Sequence, residues 1–262
     1  MNFENGTVLD GEILAWQNEK PLPFGELQKR IGRKNLTKKI LEEVPVVFQC
    51  FDVIEYESTD IRSTAYTERK KLLKKIVTKG FKRMKVGESI KINSWEDLAK
   101  LREESRDRNV EGFILKNKDS EYLTGRRRGG WWKWKVDPYT IDAVMIYAQR
   151  GHGRRASLYT DYTFGVWNEG KLISFAKAYS GLTDEEIRKV DDFVRKNTLE
   201  KFGPVRTVKP ELVFELSFEG IQLSSRHKSG IAVRFPRITK WRTDKKPSDA
   251  DSLDSIKALL KK

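Results

Sequence analysis

The sequence predicts an α+β protein of two domains: a first domain mixing antiparallel sheets with helices, and a second that is a small barrel. Three observations carry this. Pro45–Tyr56 (PVVFQCFDVIEY) is a near-continuous apolar run, as in a strand buried on both faces. Glu211–Glu219 alternates cleanly, with Leu212, Phe214, Leu216 and Phe218 on one face. Between them the texture of the chain changes at Asp137-Pro138, which sets expected boundaries at 1–138, 139–246 and a helical tail over 247–262. A length of 262 residues suits roughly two domains and can bury a real core.

Thr7–Trp16 reads as a strand interrupted at Asp10-Gly11. The glycine marks either a bulge or close backbone approach that aims Glu12 into a site, or a simple hairpin turn. Leu27, Ile31, Leu36, Ile40 and Leu41 suggest two short helices joined through Gly32. Asp52 stands inside the buried strand directly after Phe51. A carboxylate there is costly unless paired, so a cation or hydrogen-bond donor is expected beside it. Thr64–Lys79 has helical spacing, with Leu72, Leu73, Ile76 and Val77 inward and a lysine-rich solvated face. Ser94–Asp97 resembles a capping box opening a helix with Trp95, Leu98 and Leu101. Val110–Lys116 is a short strand with Glu111 and Lys116 at its ends. In Gly125–Asp137 (GRRRGGWWKWKVD), Trp132 and Trp134 point to one face of a strand and Lys133 and Lys135 to the other. Two ammonium groups aimed together suit a phosphate; the competing reading is a basic edge strand kept soluble by its lysines.

Beyond Pro138, Tyr139–Tyr147, Ala156–Trp167 and Lys171–Ala178 read as strands, with a basic turn at Gly151–Arg155. Thr183–Glu186 is a second capping box, opening a helix with Ile187, Val190 and Val194 inward. About five strands and one helix suggest a Greek-key barrel of the OB class. Arg234, Arg237, Lys240, Arg242 and Lys245 crowd the segment Val233–Lys245 around a bend at Pro236, a density that suits a triphosphate or a nucleic-acid backbone. Leu253, Ile256, Leu259 and Leu260 give the tail a short capping helix.

Lys+Arg exceed Asp+Glu by 52 to 38, a net charge of +14 that favours a polyanionic partner. No apolar run approaches the ~20 residues of a membrane span, so nucleic acid is preferred to membrane. The single cysteine, Cys50, excludes an internal disulfide framework and fits a reducing, cytoplasmic compartment. With His152 and His227 the only histidines, a structural zinc site is not expected, and Cys50 in its apolar run reads as a small core residue.

DGE (Asp10–Glu12), FDVIE (Phe51–Glu55), EGFILK (Glu111–Lys116), WWKWK (Trp131–Lys135) and RFPRITKWRTDK (Arg234–Lys245) stand in the order of motifs III, IIIa, IV, V and VI of ATP-dependent DNA ligases. The wider text resembles the bacterial, helicase-associated type over essentially the whole chain. The resemblance implies part of a nucleotidyltransferase (adenylation) domain followed by an OB-fold barrel. It implies ATP as AMP donor, Mg²⁺, and nicked double-stranded DNA as partner of a monomeric enzyme. Phe51 would stack on the adenine, Glu12 would lie near the ribose and reactive centre, and Glu111 would bind the metal. Lys133 and Lys135 would hold the α-phosphate, and Arg237 and Lys245 would orient the pyrophosphate. Arg126, Arg127, Arg128, Arg154 and Arg155 would contact the DNA backbone.

The same family attacks ATP with a lysine in a K-x-D-G motif, and none occurs in these 262 residues. The chain is therefore expected to be the C-terminal part of a ligase, without the N-terminal DNA-binding domain and unable to adenylate itself. A separate N-terminal ligase piece or a helicase-related protein is an implied partner. The alternatives are a non-catalytic nucleic-acid-binding module and an RNA ligase or capping-type nucleotidyltransferase.

Overall fold

A computed structural model describes residues 5–77 and 81–261. The chain divides into two compact units, Met1–Val136 and Asp137–Lys262. No helix among the described residues is long and apolar enough to cross a membrane.

In the first unit, strand β1 (Val8–Gln17) pairs antiparallel with β3 (Val46–Tyr56), which occupies the centre of the sheet. Two minimal strands complete tight hairpins: β2 (Lys20–Pro21) on β1 and β4 (Thr59–Asp60) on β3. Their turns place Asn18, Glu19, Glu57 and Ser58 at φ of 50 to 60°, the left-handed pair that matches strand twist. Helices α1 (Phe24–Gln28) and α2 (Lys38–Glu43) pack Leu27 and Ile40 with Ala15 and Val44. Helix α3 (Tyr66–Val77) lays Leu73, Ile76 and Val77 against Cys50 and Val53. The expected helix ran to Lys79, whose last two residues lie outside those described, as does Lys262 of the tail. A strand not anticipated from sequence, β5 (Met84–Val86), runs parallel to β3. Three residues are too few to show a period.

Helix α4 (Trp95–Glu103) starts where Ser94 Oγ accepts the Asp97 N–H at 3.1 Å. It covers one face of a separate two-stranded sheet, β6 (Gly112–Lys116) and β7 (Trp131–Lys135). The Trp95 and Trp134 rings meet edge-on at 6.0 Å, and the Arg102 guanidinium lies 5.0 Å from the Trp134 centroid. Trp132 shares that face and is half exposed.

The second unit is organised by β8 (Tyr139–Arg150), whose Ile141–Ile146 run is buried. It pairs with β9 (Tyr159–Asn168) on one edge, and β9 pairs with β10 (Lys171–Ala178). Helix α5 (Asp184–Lys196) follows, its Thr183–Glu186 capping box complete. Strands β11 (Thr198–Phe202) and β12 (Val205–Val208) form a hairpin on the distal half of β8, and β13 (Val213–Phe218) takes the proximal half of that edge. Strands β14 (Gly220–Leu223) and β15 (Ile231–Arg234) make a separate hairpin. Finally β16 (Arg237–Trp241) pairs with β13, and its Ile238 N–H donates to Ser180 O at 3.0 Å. That bond, from just beyond β10 to β16, marks the seam of a five-strand barrel in the order β10-β9-β8-β13-β16, with no β10–β16 ladder among the described residues. At the seam only glycine fits at 181: φ is +114°, and a Cβ would overlap the Ile238 carbonyl.

More strands are present than the roughly five expected, because β11, β12, β14 and β15 are short and lack clean alternation. Helix α6 (Leu253–Ala258) inserts Leu253 and Ile256 into the barrel core, so the tail contributes to this unit's interior.

The units differ in how much they bury. Among the described residues the barrel core gathers 21 buried residues, against clusters of six and three in the first unit. The first unit is therefore expected to unfold at lower urea concentration. Hydrogen exchange followed by mass spectrometry across a urea series would show β3 opening before β8; coincident opening is the contrary result.

Candidate nucleotide-binding cleft

The site begins with an irregularity in the β1–β3 ladder. Asp10 faces Asp52 and Gly11 faces Cys50, so Phe51 is the extra residue of a bulge. Bulges re-aim side chains, and here Cys50, Asp52 and Val53 on either side are buried while Phe51 is only partly covered. Gly11 is demanded by its neighbours: a Cβ would sit 2.5 Å from the Gln49 carbonyl oxygen and 2.7 Å from the Phe48 ring. The close approach at this glycine is thus to the chain's own strand. Asp10 and Glu12 share a face of β1 by alternation. Glu12 is exposed, while Asp10 accepts the Tyr122 hydroxyl at 3.0 Å.

The second wall is the β6–β7 hairpin. Directly opposed residues share a face, and the register sets Gly112 against Lys135, Ile114 against Lys133 and Lys116 against Trp131. Lys133 and Lys135 therefore lie on the face that carries Lys116, with exposed Ile114 between them. Gly112, at φ +136°, allows the strands to close: a Cβ would fall 2.4 Å from the Trp134 carbonyl oxygen. Lys135 Nζ pairs with Glu111 Oε2 at 2.6 Å, both about one-third exposed, whereas Lys133 is exposed.

Lys116 joins the two walls. Its ammonium lies 3.6 Å from the Trp131 ring centroid, 4.7 Å from Tyr66 and 5.7 Å from Phe51, and it reaches the Phe51 carbonyl at 3.5 Å. Tyr66 and Tyr122 pack edge-on against Trp131, completing an aromatic box. The ring faces favour the ammonium, but burial is the larger influence and pushes Lys116 down to about 8. Lys70 and Arg69 act in the same direction, and Asp52 and Asp10 oppose it. Tyr122 is pushed up to about 12 by burial and its bond to Asp10.

The Lys116 shift fixes a sign for stability. An unfolded lysine keeps its proton to ~10.4. Between about 8 and that value the unfolded chain binds the extra proton, so this group makes stability rise with pH across that window. Below it both states are protonated and the unfavourable contribution is constant. The wild type is expected to gain more stability than Lys116→Met on going from pH 7.5 to 9.5, read from urea unfolding at each pH.

Asp52 and Arg69 are both fully buried. Arg69 Nε and Nη2 donate to the two Asp52 oxygens at 2.8 and 3.0 Å, so of the two partners the sequence allows beside Asp52, a cation or a hydrogen-bond donor, the guanidinium is both. Cys50 is buried too, and burial pushes its thiol up to about 11, as for an inert core residue.

In the second unit, Arg237 donates to Glu219 at 2.9 Å. Lys245 pairs with Asp142, which also takes Arg242 on both oxygens at 3.1 and 3.0 Å. These cations thus hold carboxylates of the barrel itself. Arg155 pairs with Asp184 at 2.8 Å, and Arg154 is exposed beside it. Arg126, Arg127 and Arg128 are exposed in the loop between β6 and β7, with no ion pair among the described residues. No cluster of three or more metal-ligating side chains occurs among the described residues.

Sequence reasoning overlooked Asp10, Tyr66, Arg69 and Tyr122 as parts of this site. Arg69 sits in a lysine-rich helix where one more cation carries no signal, and Tyr122 lies in a loop without period.

Residues 2–135 match the family described as ATP dependent DNA ligase domain, and residues 155–245 that described as ATP dependent DNA ligase C terminal region. A probable DNA ligase of Koribacter versatilis is 35% identical, aligned over 99% of this chain and 49% of its own length. DNA ligase 1 of Korarchaeum cryptofilum is 32% identical over 97% of this chain and 47% of its own. The chain thus spans about half the length of these relatives. A structure titled "DNA binding with a minimal scaffold: Structure-function analysis of Lig E DNA ligases" shares the fold at 17% identity, with a TM-score of 0.62 over 89% of this chain and 76% of that one. Two matched regions in order, the first over the cleft and the second over the barrel, carry one conclusion: the chain belongs to the ATP-dependent DNA ligase family.

Proposed function

We propose that this chain supplies the nucleotide cleft and barrel of a ligase that seals 3′-OH/5′-phosphate nicks in duplex DNA, and that these residues alone do not form lysyl-AMP. The observation that carries the reading is the shared face of Lys133, Lys135 and Lys116, with the Lys116 amine reaching the Phe51 carbonyl. A purine stacked on Phe51 would meet exposed Ile114 as a second apolar contact and the Lys116 ammonium as a donor to a ring nitrogen. Lys133 and Lys135 would neutralise the α-phosphate, and Glu12 would reach the ribose. Arg237 and Lys245, once released from Glu219 and Asp142, would orient the pyrophosphate.

Glu111 offers one oxygen ligand of the kind Mg²⁺ uses beside phosphates. The ion would supply charge neutralisation there and free Lys135 from its carboxylate partner. The exposed arginines at 126–128, with Arg154 and Arg155, support binding to the DNA backbone, with affinity falling steeply in salt.

No K-x-D-G lysine is present in these residues, so the steps through a covalent enzyme adduct have no nucleophile. The last step needs none. The 3′-hydroxyl attacks the 5′-phosphorus of a DNA-adenylate, AMP leaves, and the protein contributes positioning and positive charge. The purified chain with labelled ATP and Mg²⁺ is expected to give no covalent AMP adduct and no sealing of ordinary nicks. Pre-adenylated nicks should be sealed weakly, and adding a ligase piece that carries K-x-D-G should restore ATP dependence. A covalent adduct on the chain alone overturns the proposal, and sealing of nicked RNA in preference to DNA would shift it to an RNA ligase.

A further inference from the structure

We propose that the buried Asp52–Arg69 pair is the positioning element of the cleft, holding the Phe51 bulge and the loop beyond Lys116 in one arrangement. This rests on the reading of Phe51 as the base-stacking residue. Phe51 is the unpaired residue of the bulge, so the β1–β3 ladder does not by itself fix its direction. The next residue does. Asp52 Oδ1 accepts the Val53 N–H at 2.9 Å, and both its oxygens are gripped by the Arg69 fork.

The remaining arm of Arg69 turns to the other wall. Nη1 donates to the carbonyls of Thr64 and Ser120, the latter at 3.1 Å, and reaches that of Arg62 at 3.5 Å. Around it the start of α3 is bolted to the loop after β6. Tyr66 N–H donates to Ser120 O at 2.9 Å, Thr67 N–H to Lys118 O at 2.9 Å, and Tyr122 N–H to Arg62 O at 2.8 Å. That loop begins at the end of Lys116's strand and delivers Tyr122 to Asp10 and to the Trp131 ring. One guanidinium therefore connects the backbone beside Phe51 to the loop that builds the Lys116 box. A buried ion pair is a poor way to gain stability, because apolar residues of like volume often serve as well. A planar fork that spans a carboxylate and several carbonyls at once is a way to gain geometry, which a lysine cannot copy.

The test uses the full chain, AMP with Mg²⁺ as probe, and two variants. Asp52→Leu/Arg69→Met replaces the pair with apolar groups, and Arg69→Lys keeps the charge without the fork. Thermal midpoints identify the folded variants, calorimetry gives AMP affinity, and hydrogen exchange reads residues 117–122. The expected result is a folded variant that binds AMP at least about 10-fold more weakly and exchanges faster in 117–122. Wild-type AMP affinity in a folded variant overturns the proposal, as does unchanged exchange in 117–122. If the wild type itself fails to bind AMP, the nucleotide reading falls, and the exchange data still judge the link between the pair and the loop.

Discussion

Arg69→Met alone is expected to destabilise the first unit by about 3–5 kcal/mol, the typical cost of removing one partner of a buried charge pair. Asp52 is fully buried and its two oxygens take Arg69 through two short bonds. Without the guanidinium the carboxylate keeps one backbone donor, Val53 N–H. The Ser120 and Thr64 carbonyls lose a donor at the same time. Against a stability of roughly 0.05–0.15 kcal/mol per residue, such a loss is a substantial fraction of what a unit of this size holds. Urea unfolding followed through β3 amide exchange measures it. The double variant Asp52→Leu/Arg69→Met should recover most of the loss; a single substitution costing under about 1 kcal/mol would mean the pair is hydrated or dispensable.

Lys135→Ala is expected to slow sealing of pre-adenylated nicks by about 10²–10³-fold, the scale of removing one charge-stabilising group from a transition state. Lys135 also neutralises Glu111 at 2.6 Å, so the substitution leaves a carboxylate facing the phosphate. Glu111→Gln in the same chain separates the two effects when both variants are compared with Glu111→Gln alone at saturating Mg²⁺, since Glu111 is also the proposed metal ligand. If repulsion by Glu111 dominates, the double variant regains much of the rate; if the missing ammonium dominates, it does not. Lys133, exposed on the same face, should show the ammonium effect without this complication.

The large elements were legible because their sequences carry a period or a cap. The apolar run of β3, the alternation of Phe214, Leu216 and Phe218, and the Thr183–Glu186 box each reappear as structure. The rule that a buried carboxylate needs a partner called for a cation or hydrogen-bond donor at Asp52, though not for Arg69 in particular. Other features left no trace. The hairpin turns at Asn18-Glu19 and Glu57-Ser58 adopt left-handed backbone without the glycine that normally announces it. The bulge at Phe51 is a matter of register between strands some 40 residues apart, and no local pattern encodes it. The engagement of Lys245 with Asp142 joins residues 103 apart, which a cation-dense segment does not reveal.

Strand β8 carries a consequence of a different kind. It starts within two residues of the border between the units, and it is hydrogen-bonded to three other strands. Its first six residues lie against β13 and its later ones against β9 and β12. Tension applied to the chain at Asp137 would thus enter the most heavily bonded strand of the barrel, along its own axis. Such a strand yields by breaking many bonds together, whereas an outer strand peels one bond at a time. On the barrel side of the border such a load is therefore expected to be resisted by the bonds of β8 to β9, β12 and β13 together.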